Sequence, residues 1–237
     1  MNIFNKFFSN NNFTCAVLCV LALANNVAFA DSTCYGTTAK GKIDGAVQLP
    51  ASGKNYVAYT EEGVSLGRTY VHAAVAKVVS AAYREMEKSL PDGRFVYGET
   101  GLKNGGAFPP HRSHQNGLSV DFFVPVRDSK GRSAYLPASA DNHYGYDVEF
   151  NAEGNFGEYR IDFEAMAAHL YALDQAASKS GIRIGLVIFD LPYLPRLFAT
   201  THGSYLKSHL QFMKSKPWVR HDEHYHVDFA VPCKRMT

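Results

Sequence analysis

The chain has 237 residues, enough for one well-buried domain or at most two small ones. Hydrophobic residues make up 46% and charged residues 19%, a balance that excludes an intrinsically disordered chain. The formal net charge is only +2, from 24 basic and 22 acidic residues, which argues against nucleic acid as a partner.

Lys6 is the only charge in the first thirty residues. An apolar run from Cys15 to Ala24 follows it, and Ala28 and Ala30 form an A-x-A cleavage pattern. These features predict a cleaved signal peptide over residues 1–30 and a mature chain starting at Asp31. The alternative is an uncleaved membrane anchor, but the run is short for a bilayer and no second one exists. Thr14 and Leu18 precede Cys15 and Cys19, which does not suit lipid attachment. Cleavage leaves Cys34 and Cys233 near the two ends of the mature chain. Export implies an oxidising compartment and chain termini often lie close, so a disulfide is expected, with two separate thiols as the alternative.

Apolar residues at helical spacing, from Val71 through Val75 and Val79 to Met86, predict a helix over Tyr70 to Leu90. Pro91-Asp92-Gly93 stops it. Arg94 to Tyr97 reads as a short strand and Gly98 to Pro110 as a loop rich in Gly, Asn and Pro. Leu118 to Val126 is apolar on both faces and is expected in the middle of a sheet. Residues from about 127 to 160 turn polar and irregular, as in a long, loop-rich insertion or a substrate-contacting loop with room for a hairpin. Asp162 reads as the cap of a helix to about Lys179, ended by Gly181. A strand over Ile182 to Phe189 and short helical stretches over Leu191 to Phe198 and Tyr205 to Met213 follow, then a closing strand from Tyr225 to Val231. Helices and strands mix without a βαβ rhythm, so the predicted class is α+β with an antiparallel sheet, in a single domain, 31–237.

Five of the ten histidines fall in two short clusters, His111/His114 and His221/His224/His226. His224 and His226 are two apart at the head of a strand, so both point to one face, which Asp228 continues. One of them suits metal ligation and its neighbour proton transfer. His114 lies in a loop and Asp121 in the strand that follows, with Gly117 to turn the chain between them. A loop histidine, a strand carboxylate and a second histidine make a three-ligand zinc site that leaves one position open for water, the mark of a catalytic zinc. Each residue taken alone is more often a surface or hydrogen-bonding group than a ligand. The spacing of His114 and Asp121 combined with a distant His-x-His is far more specific.

The stretch from Pro110 to Asp121 (PHRSHQNGLSVD) resembles the first metal motif of penicillin-insensitive murein endopeptidases. The stretch from Lys216 to Val227 (KPWVRHDEHYHV) resembles their second, and Cys233 follows at a distance typical of that family. The resemblance is specific over roughly 30 residues and topological elsewhere. It implies a small antiparallel sheet flanked by helices, the fold shared with lysostaphin-type and D-Ala-D-Ala peptidases and the hedgehog domain, a periplasmic location, and cleavage of D-alanyl cross-links in peptidoglycan. Carried over by position, it implies that His114, Asp121 and His226 bind one zinc ion. His224 then takes the catalytic role, with His221 beside it, and His111 and Gln115 contact substrate or support the ligands. An Asp/His pair that some members use for a further metal finds no counterpart between the motifs here. The same zinc site serves D,D- or L,D-carboxypeptidases, and a non-hydrolytic cell-wall-binding protein on the same fold is the reading from another class.

Overall fold

A computed structural model describes residues 31–236; the expected signal peptide, residues 1–30, lies outside the described residues. The chain opens with a hairpin of β1 (Thr33–Thr37) and β2 (Lys40–Asp44), then β3 (Val47–Gln48), β4 (Tyr56–Ala58), α1 (Glu61–Ser65) and β5 (Tyr70–Val71). Next come α2 (Ala73–Ser89), β6 (Phe95–Tyr97), β7 (Ser119–Phe123), β8 (Val126–Arg127) and β9 (Ser133–Ala134). After a 3-10 segment (Ala140–Gly145) the chain forms β10 (Asn155–Phe156), β11 (Tyr159–Ile161), α3 (Phe163–Lys179) and β12 (Arg183–Ile188). It ends with α4 (Leu194–Phe198), α5 (Gly203–His209) and β13 (His224–Ala230).

The class is α+β. The central sheet has the order β12-β13-β7-β6-β4. Its pairs are antiparallel except β4 with β6, which run parallel. Helices α2 and α3 cover one face. Val120 and Phe122 of β7 and Tyr225, Val227 and Phe229 of β13 are all buried in the core with Tyr83 and Met86 of α2 and Leu170 and Leu173 of α3. Strand alternation then commits the intervening residues, Asp121 on β7 and His224, His226 and Asp228 on β13, to the opposite face. Register places His226 directly across from Asp121. Two hydrophobic stripes on adjacent strands thus aim the polar residues of both strands at one spot.

Three predicted elements differ in detail. Helix α2 starts at Ala73 because Tyr70 and Val71 pair with Gln48 and Val47, and the His72 side chain caps the helix by accepting the Ala74 N–H at 3.1 Å. The region from 127 to 160 is ordered: β8, β9, β10 and β11 form a four-stranded antiparallel sheet in the order β10-β11-β8-β9. Helix α5 stops at His209, and Phe212 bridges to Val187 instead. The cap of α3 is as expected, with Asp162 accepting the Ala165 N–H at 3.1 Å. Cys34 and Cys233 form a disulfide that joins the two ends of the described chain, with Cα atoms 4.8 Å apart. Among the described residues no helix is long and apolar enough to cross a membrane.

Candidate metal centre

Asp121 is fully buried and sits at the middle of the polar cluster. Its Oδ1 lies 2.9 Å from His226 Nδ1 and 3.2 Å from His114 Nε2. Its Oδ2 accepts the Tyr146 hydroxyl at 3.1 Å and faces His111 Nδ1 at 3.7 Å and His224 Nε2 at 3.8 Å. Strand register delivers His226 to Asp121, whereas His114 arrives by a turn. His114 itself adopts a left-handed backbone, φ 67°, and Gly117 another, φ 75°. A Cβ on Gly117 would stand 2.6 Å from Ile43 and 2.8 Å from the His72 nitrogen, so only glycine lets the loop pass there. Backbone bonds from Gln115 to Thr38 and from His72 to Gly117 pin the loop on both sides.

The histidines fall into two electrostatic groups. Burial lowers the pKa of His114 against the opposing pull of Asp121. Burial likewise pushes His224 down to about 4 and His221 to about 3, with their mutual repulsion adding at His221. These three are neutral imidazoles with lone pairs to offer. Burial also works against charge on His226, but the Asp228 and Asp121 carboxylates outweigh it and hold its pKa at about 10. Asp228 accepts from His226 Nε2 at 2.9 Å and is itself held by Ser119.

The donor set fits a metal ion. Both ring nitrogens of His114 are buried and neither has a hydrogen-bond partner, a costly state for an imidazole unless something else occupies it. Although Asp121 lies 3.2 Å from Nε2, the contact lacks hydrogen-bond geometry. His111, His114 and Asp121 offer ligand atoms that all lie within 4.8 Å of one another, and His226 adjoins them through Asp121. Mixed imidazole and carboxylate ligation suits zinc among divalent ions.

Of the predicted site residues, His111, His221, His224 and His226 all line one cleft of about 640 Å³, with His114 and Asp121 buried behind it. Gln115 is not among the lining residues; it serves the loop through its backbone. Glu99, Glu223 and Tyr146 line the cleft without having been singled out from the sequence. Glu99 accepts from His111 at 2.5 Å, from Tyr59 at 3.0 Å and from Arg68. Burial opposes its charge, but His111 and Arg68 bring its pKa down to about 2. Glu223 takes His224 Nδ1 at 2.7 Å, and its place beside His224 in the motif was the one available signal. His143 and Asp147 pair at 2.5 Å on the exposed rim, an Asp/His pair that sequence spacing did not reveal.

The cleft walls are aromatic, with Tyr59 and Tyr144 on one side and Trp218 on the other, where Arg112 lies over the Trp218 ring at 4.9 Å. Such a cleft, with buried histidines and a carboxylate behind its floor, has the concave form and convergent polar groups of a candidate active site. No curated protein matches the chain. A family model described as penicillin-insensitive murein endopeptidase matches residues 34–237, nearly every described residue, and the chain belongs to that family of cell-wall metallopeptidases.

Proposed function

We propose that the chain is a zinc-dependent endopeptidase that cleaves D-alanyl cross-link bonds of peptidoglycan in the periplasm. His114, Asp121 and His226 hold the metal in this reading, and His226 would release the proton it shares with Asp121 in favour of the ion, keeping its other ring nitrogen on Asp228. The observation that carries it is the buried His114 ring, without a hydrogen-bond partner and facing the carboxylate oxygen that His226 also reaches. The gathering of these donors on one face of an antiparallel core also supports the kinship with hedgehog-type and D-Ala-D-Ala peptidase folds that the motifs imply.

Zinc, when bound, supplies a Lewis acid for the scissile carbonyl and lowers the pKa of the attacking water. The chain itself moves the proton. Glu223 engages Nδ1 of His224 and so orients the ring, leaving Nε2 turned toward the Asp121 side of the cleft. A neutral His224 takes the proton of the attacking water and returns it to the departing amine. His221, its ring 4.6 Å from that of His224, and His111 stand on either side to hold the substrate carbonyl and its developing charge.

The test incubates residues 31–237 with purified cross-linked peptidoglycan fragments, with and without a chelator, and reads products by mass spectrometry. Chelator-sensitive conversion of cross-linked dimers to monomers is expected. Loss of a single terminal D-alanine would assign a carboxypeptidase instead, and zinc binding without turnover would favour a binding protein.

A further inference from the structure

Tyr146 stands outside both sequence motifs, yet its hydroxyl reaches the centre of the site. It accepts the backbone N–H of Glu99 at 2.9 Å and donates to Asp121 Oδ2 at 3.1 Å. An amide N–H can only donate, so the hydroxyl's lone pair is committed to Glu99 and its proton is directed at Asp121. That leaves Asp121 Oδ1 as the oxygen beside His226 and His114. The ring is held edgewise against Phe123, His224 and His111, with centroids 5.1, 5.2 and 5.7 Å away, so it cannot swing off.

The surroundings are shaped around this hydroxyl. A Cβ on Gly98 would lie 2.6 Å from it and 3.1 Å from the Asp121 Cβ, so any other residue at 98 would displace the contact. The segment that delivers Tyr146 takes two consecutive left-handed residues, His143 at φ 45° and Tyr144 at φ 58°. Such conformations in residues other than glycine are unfavourable and persist where surrounding structure imposes them. Tyr144 is fastened by its hydroxyl to Glu62 across the cleft rim.

We infer that Tyr146 is a positioning residue of the metal centre: anchored on the Glu99 amide, it turns Asp121 so that Oδ1 is presented beside His114 and His226. The inference rests on the zinc-peptidase reading above. It also gives the 127–160 segment a task, since that segment brings Tyr146 to the sheet. Carboxylate ligands are commonly oriented by a neighbouring donor, and losing that donor typically weakens metal binding about 10–100-fold.

The experiment titrates metal-free protein, residues 31–237, with zinc alone in competition with a chromophoric chelator. Tyr146→Phe removes only the hydroxyl and is expected to raise the zinc dissociation constant about 10–100-fold while circular dichroism stays unchanged. Cobalt substituted for zinc should show an altered visible spectrum in the variant, which a purely structural role would not produce. A folded Tyr146→Phe with wild-type zinc affinity overturns the assignment. Gly98→Ala, which keeps the tyrosine and crowds its hydroxyl, is expected to weaken zinc likewise and to add little on top of Tyr146→Phe. Should Tyr146→Phe fail to fold, wild-type affinity in Gly98→Ala overturns the assignment by itself. If the unmutated protein takes up no zinc, the zinc reading itself fails, and the inference falls with it for a different and recognisable reason.

Discussion

Asp121 is met from one side by a neighbour fixed by strand register, His226, and from the other by a loop residue, His114. As the proposed ligands, the two histidines are placed by different parts of the fold but would serve the ion alike. His114→Ala and His226→Ala are each expected to abolish zinc binding and hydrolysis while leaving the far-ultraviolet circular dichroism intact; wild-type zinc content in either variant would remove that residue from the ligand set. His224→Ala should keep the metal and lose about 10²–10⁴-fold in turnover, the usual worth of a positioned general base. Glu223→Gln should lose less in the same direction, because it leaves His224 in place and alters only the group that holds Nδ1. Full activity in His224→Ala would take that residue out of the mechanism. The candidate ligands were legible in the sequence because one turn and strand set His114 against Asp121, and because the distant His224-x-His226 pair, 105 residues on from Asp121 at His226, carries a recognisable motif of its own. Glu99 and Tyr146 were not, since 22 and 25 residues of chain separate them from Asp121 and no local period links them.

Helix α3 carries a residue whose burial makes a measurable statement. His169 is fully buried between the helices and the sheet, its ring stacked on Tyr83 at 5.0 Å and its Nδ1 2.6 Å from the Tyr225 hydroxyl. Burial depresses its pKa to about 3. The unfolded chain, with an ordinary histidine pKa near 6.5, binds this proton far more readily than the folded one. The contribution of His169 is thus fully present above about pH 6.5 and is lost as pH falls from there toward 3, by up to about 1.4 kcal/mol per pH unit. Denaturant unfolding of wild type and His169→Gln at several pH values from 7 to 4 should show a shallower loss of stability in the variant. Parallel curves would mean the histidine is not held neutral in the fold. The same helix shows which elements a sequence exposes. Long helices with a capping residue and a periodic apolar face, α2 and α3, were legible to within a few residues. Strands of two or three residues, such as β3, β4 and β5, have too few side chains to display a period. The four-stranded sheet between Val126 and Ile161 was hidden for the same reason: its strands are two or three residues long, and its two short hairpins are joined by the pairing of β8 with β11 across a long separation.

At the scale of the whole molecule the ends are tied together beneath the active loop. The disulfide bridges Cys34 on β1 and Cys233 beyond β13, across a sequence separation of 199. Buried Asn116, two residues after His114, points its amide at Cys233 Sγ, 3.7 Å away, and Lys234 donates its N–H to the Cys34 carbonyl at 2.9 Å. The bridge therefore closes nearly the whole described chain into one loop and lies against the turn that presents His114. Chain-entropy reasoning gives such a loop about 5 kcal/mol, and removal of a native disulfide commonly costs 2–5 kcal/mol. Two cysteines cannot replace a core, and the core of helices and sheet is extensive, so the double variant Cys34→Ala/Cys233→Ala is expected to fold. Its midpoint of thermal unfolding should fall by several degrees, and by more than that of any single surface substitution. Below that midpoint zinc content should match wild type, because the ligands are set by β7, β13 and the pinned loop rather than by the bridge. Loss of zinc in a folded double variant would show instead that the bridge is part of what holds His114 in place.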